Sequence, residues 1–132
     1  PKNLFMMLLQ GPVPSGGQDT PVLQTPFLEP SPWGMSLFLT TPALIYAFRA
    51  NRRRPLVQAC WLGVASVMIP ILTYYGIGFV QFGYRYALDF MPFLIILVAV
   101  SWSAPISWRA RALVLASVAV SVWGGLFLTS WL

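Results

Sequence analysis

"LVQACWLGVASVMIPILTYYGIGFV", residues 56–80, runs without a single charged side chain. About 20 apolar residues in helix cross the hydrocarbon core of a bilayer, so this stretch reads as a membrane span. Working outward, 84–104 and 111–132 approach the same length, and 33–48 is shorter but close. The composition agrees. Of 132 residues, 58% are hydrophobic and only 8% are charged, whereas a soluble domain carries roughly 25% charged residues. That leaves too little charge to solvate a globular surface. The expected fold is all-α, a polytopic integral membrane protein with four transmembrane helices at about 33–50, 56–80, 84–104 and 111–132.

Prolines punctuate these runs. Pro42 follows Thr40-Thr41 and is expected to kink the first helix, freeing the Phe38 carbonyl for a threonine hydroxyl or a neighbouring helix. Pro70 and Pro92 fall inside the second and third. Upstream, 1–10 is apolar but too short to span, and reads as a short interfacial helix or the tail of an earlier element, ended by Gly11-Pro12. Residues 11–32 hold six of the twelve prolines and Gly16-Gly17, which predicts irregular backbone outside the hydrocarbon. The chain therefore divides into a proline-rich extracytoplasmic loop, 1–32, and a four-helix membrane region, 33–132. Beginning at Pro1, it reads as the C-terminal fragment of a longer protein.

A net charge of +5 raises the possibility of nucleic acid, but the basic residues are gathered in short connectors. Arg49, Arg52, Arg53 and Arg54 follow the first run, and Arg109 and Arg111 separate the last two. That distribution fits the excess of Lys and Arg on cytoplasmic loops rather than a solvated basic face. It places 51–55 and 104–111 in the cytoplasm, and 1–32, the 81–86 turn and Leu132 outside. Cys60 lies in an apolar run and reads as a small buried hydrophobe. There is no histidine, so the commonest metal ligand and general base is missing, and no cofactor or metal is expected. The carboxylates are Asp19, Glu29 and Asp89. Ser117, Ser121 and Gly125, at four-residue spacing, predict a close helix-packing seam on the fourth span.

Charge is otherwise avoided, yet "QFGYRYALDFMPF", residues 81–93, places Arg85 and Asp89 between two apolar runs. A helix capped at Asp89 would give only about 21 Å by Ser103, short of the roughly 30 Å core. Starting near Tyr84 restores the length and sets Arg85 and Asp89 on one face, a turn apart. Arg85 then lies on the outer side, against the bias of the other arginines, and at a helix N-terminus, where the macrodipole disfavours cations. Two readings follow. One is a structural ion pair at the membrane surface, flanked by Tyr84 and Tyr86 as an aromatic belt. The other is an anion site in which Arg85 offers a planar fork to phosphate oxygens. Asp89 would orient the guanidinium, while Tyr84, Tyr86 and Gln81 add hydrogen bonds. A lipid-borne phosphate is the natural ligand at that depth.

The stretches "PFLEPSPWGMSLFLTTPALIYAFRA" (26–50) and "FGYRYALDFMPFLIILVA" (82–99) carry a resemblance. The chain resembles the C-terminal membrane region of bacterial GT-C-type polytopic glycosyltransferases, related to the dolichyl-phosphate-mannose-dependent protein mannosyltransferases. The resemblance spans about 26–104. It implies sugar transfer from a polyprenyl-phosphate donor at the outer face of a bacterial inner membrane. The family's catalytic carboxylate usually lies in an early outer loop, upstream of this segment. Asp19 and Glu29 sit on the expected side without matching context. What the segment would supply is part of the lipid-phosphate or acceptor site, through Arg85 with Asp89, Tyr84, Tyr86 and Gln81. The partners implied are the bilayer, the lipid-linked donor and the remainder of its own chain.

Overall fold

The computed structural model describes residues 2–15, 27–76, 78, 81–102 and 105–131, with side chains to Phe127. Asp19 and Leu132 lie outside the described residues. The described chain is mostly helical. α1 (Lys2–Leu9) is followed by β1 (Val13–Pro14), which pairs antiparallel with β2 (Leu28–Glu29). Next come β3 (Trp33–Met35), α2 (Leu37–Thr40) and a first 3-10 helix at Pro42–Arg49. α3 (Pro55–Thr73), β4 (Gln81–Gly83) and a second 3-10 helix at Arg85–Asp89 lead into α4 (Met91–Ser101) and α5 (Trp108–Trp131). The short β1–β2 pairing puts regular structure where the prolines had predicted none.

Prolines set the breaks more sharply than kinks. Pro42, Pro55 and Pro92 each stand in the first turn of a helix, where the missing N–H costs nothing. The expected helix over 33–50 is therefore three pieces. Thr40 ends α2, its hydroxyl within reach of the Ser36 and Leu37 carbonyls, both at 3.2 Å, and the Phe38 carbonyl is not its partner. The expected 84–104 helix is likewise divided into a 3-10 segment and an α-helix starting only at Met91. Pro92 would clash with the Leu88 carbonyl in a continuous α-helix, so the chain takes the tighter winding before it. The second helix stops at Thr73 rather than reaching 80, with Gly76 and Gly78 beyond it, the latter at φ +85°. The fourth begins earlier than expected, at Trp108.

α3 and α5 are long and apolar enough to cross a membrane. At 1.5 Å per residue they measure about 28 and 36 Å. Leu115, Val118, Val122 and Leu126, at turn-like spacing along α5, are all exposed, as are Leu62 and Ile69 on α3 and Ile95 on α4. Uncovered apolar side chains of this kind mark a surface that meets a membrane or a partner. That points to a membrane location.

Between them the first 3-10 helix is shielded, while the second buries only Ala87. α4 packs on the first 3-10 helix, α3 lies against α4, and α5 lies against the 3-10 helix. Ala43, Leu44, Tyr46 and Ala47 of that 3-10 helix are buried, within a core that includes Val57, Cys60, Val64, Phe90, Leu94 and Leu97. Irregular backbone at membrane depth is tolerated where protein covers it. The Ala43 N–H, an orphan at the start of the 3-10 helix, donates to Ser117 Oγ on α5 at 3.4 Å. Further along α5 the close approach falls on Gly124, where a Cβ would overlap the Phe82 ring, whereas Gly125 faces open space. The close contacts thus fall at Ser117 and Gly124, while Ser121 is exposed and Gly125 faces open space.

The bundle has two chemically different ends. At one, the basic connectors meet: Tyr46 lies 3.5 Å from Ser107 Oγ through its hydroxyl, stacks edge-on with Trp102, and carries the Arg49 guanidinium 4.8 Å above its ring. At the other, α1 closes the end of α3. The Asn3 amide donates to the Ile71 and Tyr74 carbonyls at 3.0 and 2.6 Å, adding to the Tyr74 N–H that the Ile71 carbonyl already accepts at the end of α3. Ser36 Oγ donates to the Leu8 carbonyl at 2.7 Å, and the Ser36 N–H to the Gln10 carbonyl. Asn3→Ala strips the donor from two carbonyls at a buried position. We expect a loss of about 1–3 kcal/mol in stability, read as a lower midpoint in a denaturing-detergent titration.

Candidate functional site

The site grows from a parallel strand pair. β3 and β4 align Trp33 with Gln81 and Met35 with Gly83. The pair brings two segments distant in sequence to the α1 end of the bundle. Gln81 is buried there and works as a clamp. Its backbone N–H reaches the Pro32 carbonyl, and its side-chain amide donates to the Trp33 carbonyl at 2.7 Å. Its Oε1 accepts from the Arg85 backbone N–H at 3.4 Å, anchoring the start of the second 3-10 helix. Gly34, at φ +91°, turns the chain against this side chain; a Cβ there would sit 3.0 Å from Gln81 Nε2 and 3.1 Å from the Gly83 carbonyl oxygen.

Tyr84 follows β4, its N–H bonded to the Met35 carbonyl at 3.2 Å. The side chain is 3% exposed, and its hydroxyl has no hydrogen-bond partner among the described residues. Tyr74, Tyr86 and Tyr84 stack edge to face at 5.8 and 5.7 Å. The Arg85 guanidinium lies 5.8 Å from the Tyr86 ring centre, close enough for a cation–π contact.

The expected shared face of Arg85 and Asp89 is not formed. With three residues per turn, positions i and i+4 diverge by about 120° on a 3-10 helix, against about 40° on an α-helix. Both side chains are exposed, and no ion pair joins them among the described residues. They line different grooves. Arg85 borders a groove of about 350 Å³ with Thr40, Thr41, Gln81, Tyr84 and Ser121. Asp89 borders another of about 350 Å³ with Pro70, Ile71, Tyr74 and Tyr86. The structure thus places Gln81, Tyr84 and Arg85 on one groove and Asp89 on the next, with Tyr86, which borders the Asp89 groove, against both Tyr84 and the Arg85 guanidinium.

Thr40, Thr41 and Ser121 are the groove residues that sequence reasoning assigned to other work, the threonines to the Phe38 carbonyl freed by Pro42 and the serine to helix packing. The pairing of β3 with β4 brings the threonines to Arg85, and the packing of α5 against α2 and β4 brings Ser121. Glu29 pairs opposite Val13 in the β1–β2 ladder and lines neither groove. Cys60 is buried in the core as a free thiol. Among the described residues, no group of three histidine, cysteine or carboxylate side chains is placed to hold a metal ion. The Arg85 groove sets one arginine among Thr41, Ser121, a Thr40 hydroxyl already bonded to backbone carbonyls and a Tyr84 hydroxyl that is buried. Compared with family models, curated proteins and solved structures, the chain finds no match in any of the three.

Proposed function

We propose that the chain is an integral membrane protein of four crossings and the C-terminal part of a glycosyltransferase that uses a polyprenyl-phosphate-linked sugar. The first and third crossings are the broken segments, α2 with the first 3-10 helix and the second 3-10 helix with α4. They are sheltered by α3 and α5, which cross unbroken. The basic connectors share one end of the bundle and the Arg85 groove lies towards the other, as the excess of arginine on cytoplasmic loops requires. The observation that carries the functional reading is that groove. It presents an arginine with no ion-pair partner among the described residues beside hydroxyl-bearing side chains, at the edge of an apolar bundle.

In this reading Arg85 holds the phosphate that links sugar to lipid. As the sugar departs, negative charge grows on that phosphate, and a fixed guanidinium stabilises the developing charge more than the ground state. Gln81 has a positioning role: it fixes the backbone from which Arg85 projects. A general base elsewhere in the protein would take the acceptor's proton. A scaffold reading built on an Arg85–Asp89 bridge draws no support from an arrangement in which no ion pair joins the two among the described residues.

The test is Asp89→Asn in the full-length protein, with sugar transfer from a polyprenyl-phosphate sugar as readout. We expect activity within about twofold of wild type, since an exposed, unpaired carboxylate contributes little. A loss as deep as that of Arg85→Ala, restored by the exchange Arg85→Asp with Asp89→Arg, would return the pair to a structural bridge and displace the phosphate site.

A further inference from the structure

The end of the molecule that carries the basic connectors holds a second feature. A groove of about 580 Å³ is lined by Phe48, Arg52, Gln58, Trp61 and Leu62. Behind it lies a cavity of about 300 Å³ whose lining is wholly apolar, walled by residues such as Met7, Leu37, Leu44, Val64, Phe90 and Leu94. Phe48 and Trp61 border both, their rings 5.3 Å apart. The two spaces are therefore neighbours across a pair of aromatic rings, one basic and open, the other greasy and inward.

From this juxtaposition we propose that the protein binds one anionic phospholipid at this end, its phosphate on Arg52 and one acyl chain passing Phe48 and Trp61 into the apolar cavity. Charge selects the headgroup. Arg52 has no side-chain partner among the described residues, and Arg49, Arg53 and Arg54 stand near it in sequence, a density of basic residues that attracts anionic headgroups. Gln58 donates to the Arg52 backbone carbonyl at 3.1 Å and so fixes the connector over the groove. Shape selects the tail. A cavity of this volume is about twice the roughly 150 Å³ of an apolar cavity that takes up benzene, and it offers no group for water to bond. A water-soluble anion would leave that cavity unfilled. The inference rests on the membrane reading above but not on any transfer chemistry.

The experiment uses the full-length protein in phosphatidylcholine vesicles containing phosphatidylglycerol as the anionic probe. Flotation first establishes that the protein partitions into vesicles; protein left in the aqueous layer overturns the membrane reading and this proposal with it. For protein that floats, native mass spectrometry after detergent release measures the lipid retained. We expect phosphatidylglycerol to be retained in preference to phosphatidylcholine, and Arg52→Ala to weaken retention about tenfold or more. Arg109→Ala, which removes the same charge from the other connector, leaves it unchanged. Glycerophosphate, a headgroup without chains, does not compete. A photo-crosslinking residue replacing the exposed Leu62 captures lipid. Equal retention of both lipids, equal loss in Arg52→Ala and Arg109→Ala, competition by glycerophosphate, or capture of protein in place of lipid at position 62 would each overturn the proposal while leaving the membrane reading intact.

Discussion

Arg85→Ala is expected to weaken binding of a polyprenyl phosphate to the full-length protein about 10- to 100-fold. The magnitude follows from the site. Hydrogen bonds to a charged group contribute roughly 1.5–3 kcal/mol, and each 1.4 kcal/mol is about a factor of ten in affinity. Arg85 borders a groove whose other polar residues are Thr40, Thr41, Tyr84, Ser121 and the buried Gln81, so no second cation of that groove takes over. Arg85→Lys keeps the charge but loses the planar fork, and should fall between wild type and alanine. Arg53→Ala, on the basic connector, should bind as wild type does. Titration of the lipid into protein held in nanodiscs checks all three.

Gly34→Val is expected to disrupt the same end of the molecule from the backbone side. The glycine sits at φ +91°, and any Cβ meets Gln81 within 3.1 Å and the Gly83 carbonyl oxygen at 3.1 Å. Side-chain motion relieves the first contact only by breaking the bond from Gln81 to the Trp33 carbonyl; the second is backbone and must open the β3–β4 pair. A β-branched residue held in that conformation, together with the overlap, costs about 3 kcal/mol or more. The stability midpoint should fall accordingly and lipid-phosphate affinity with it, because Gln81 fixes the start of the Arg85 helix. Gly125→Ala, facing open space, should change neither by much and serves as the control.

Much of the helical content could be read from the runs of apolar residues, because an uncharged run as long as 56–80 allows few other folds. The ends could be read less well. Pro92 was visible, but the choice between a kinked α-helix and a separate 3-10 turn depends on Phe90 and Ala87 finding buried places in the core, which no local rule supplies. That choice moved Asp89 away from Arg85. Gln81 was legible as a polar residue near the arginine, yet its role as a clamp between β3 and β4 arises from a parallel pairing across 48 positions of sequence. Thr40 and Thr41 join the groove for the same reason, and Ser121 through the packing of α5 on α2 and β4. Tertiary pairing, not composition, gathers the site. The seam on α5 was readable as small residues, while the shift from Gly125 to Gly124 follows from where the Phe82 ring lies.

Everything proposed for Arg85 depends on the two ends of the bundle facing opposite sides of a bilayer. The direct test places single cysteines in a Cys60→Ala background, at the exposed Phe27 on the loop preceding β3 and at Arg53 on the basic connector. Intact cells are then treated with a membrane-impermeant maleimide. The account predicts labelling of Phe27→Cys in intact cells, and of Arg53→Cys only after permeabilisation. Labelling of both from the same side, or the reverse order, would contradict it and remove the outer-face phosphate site.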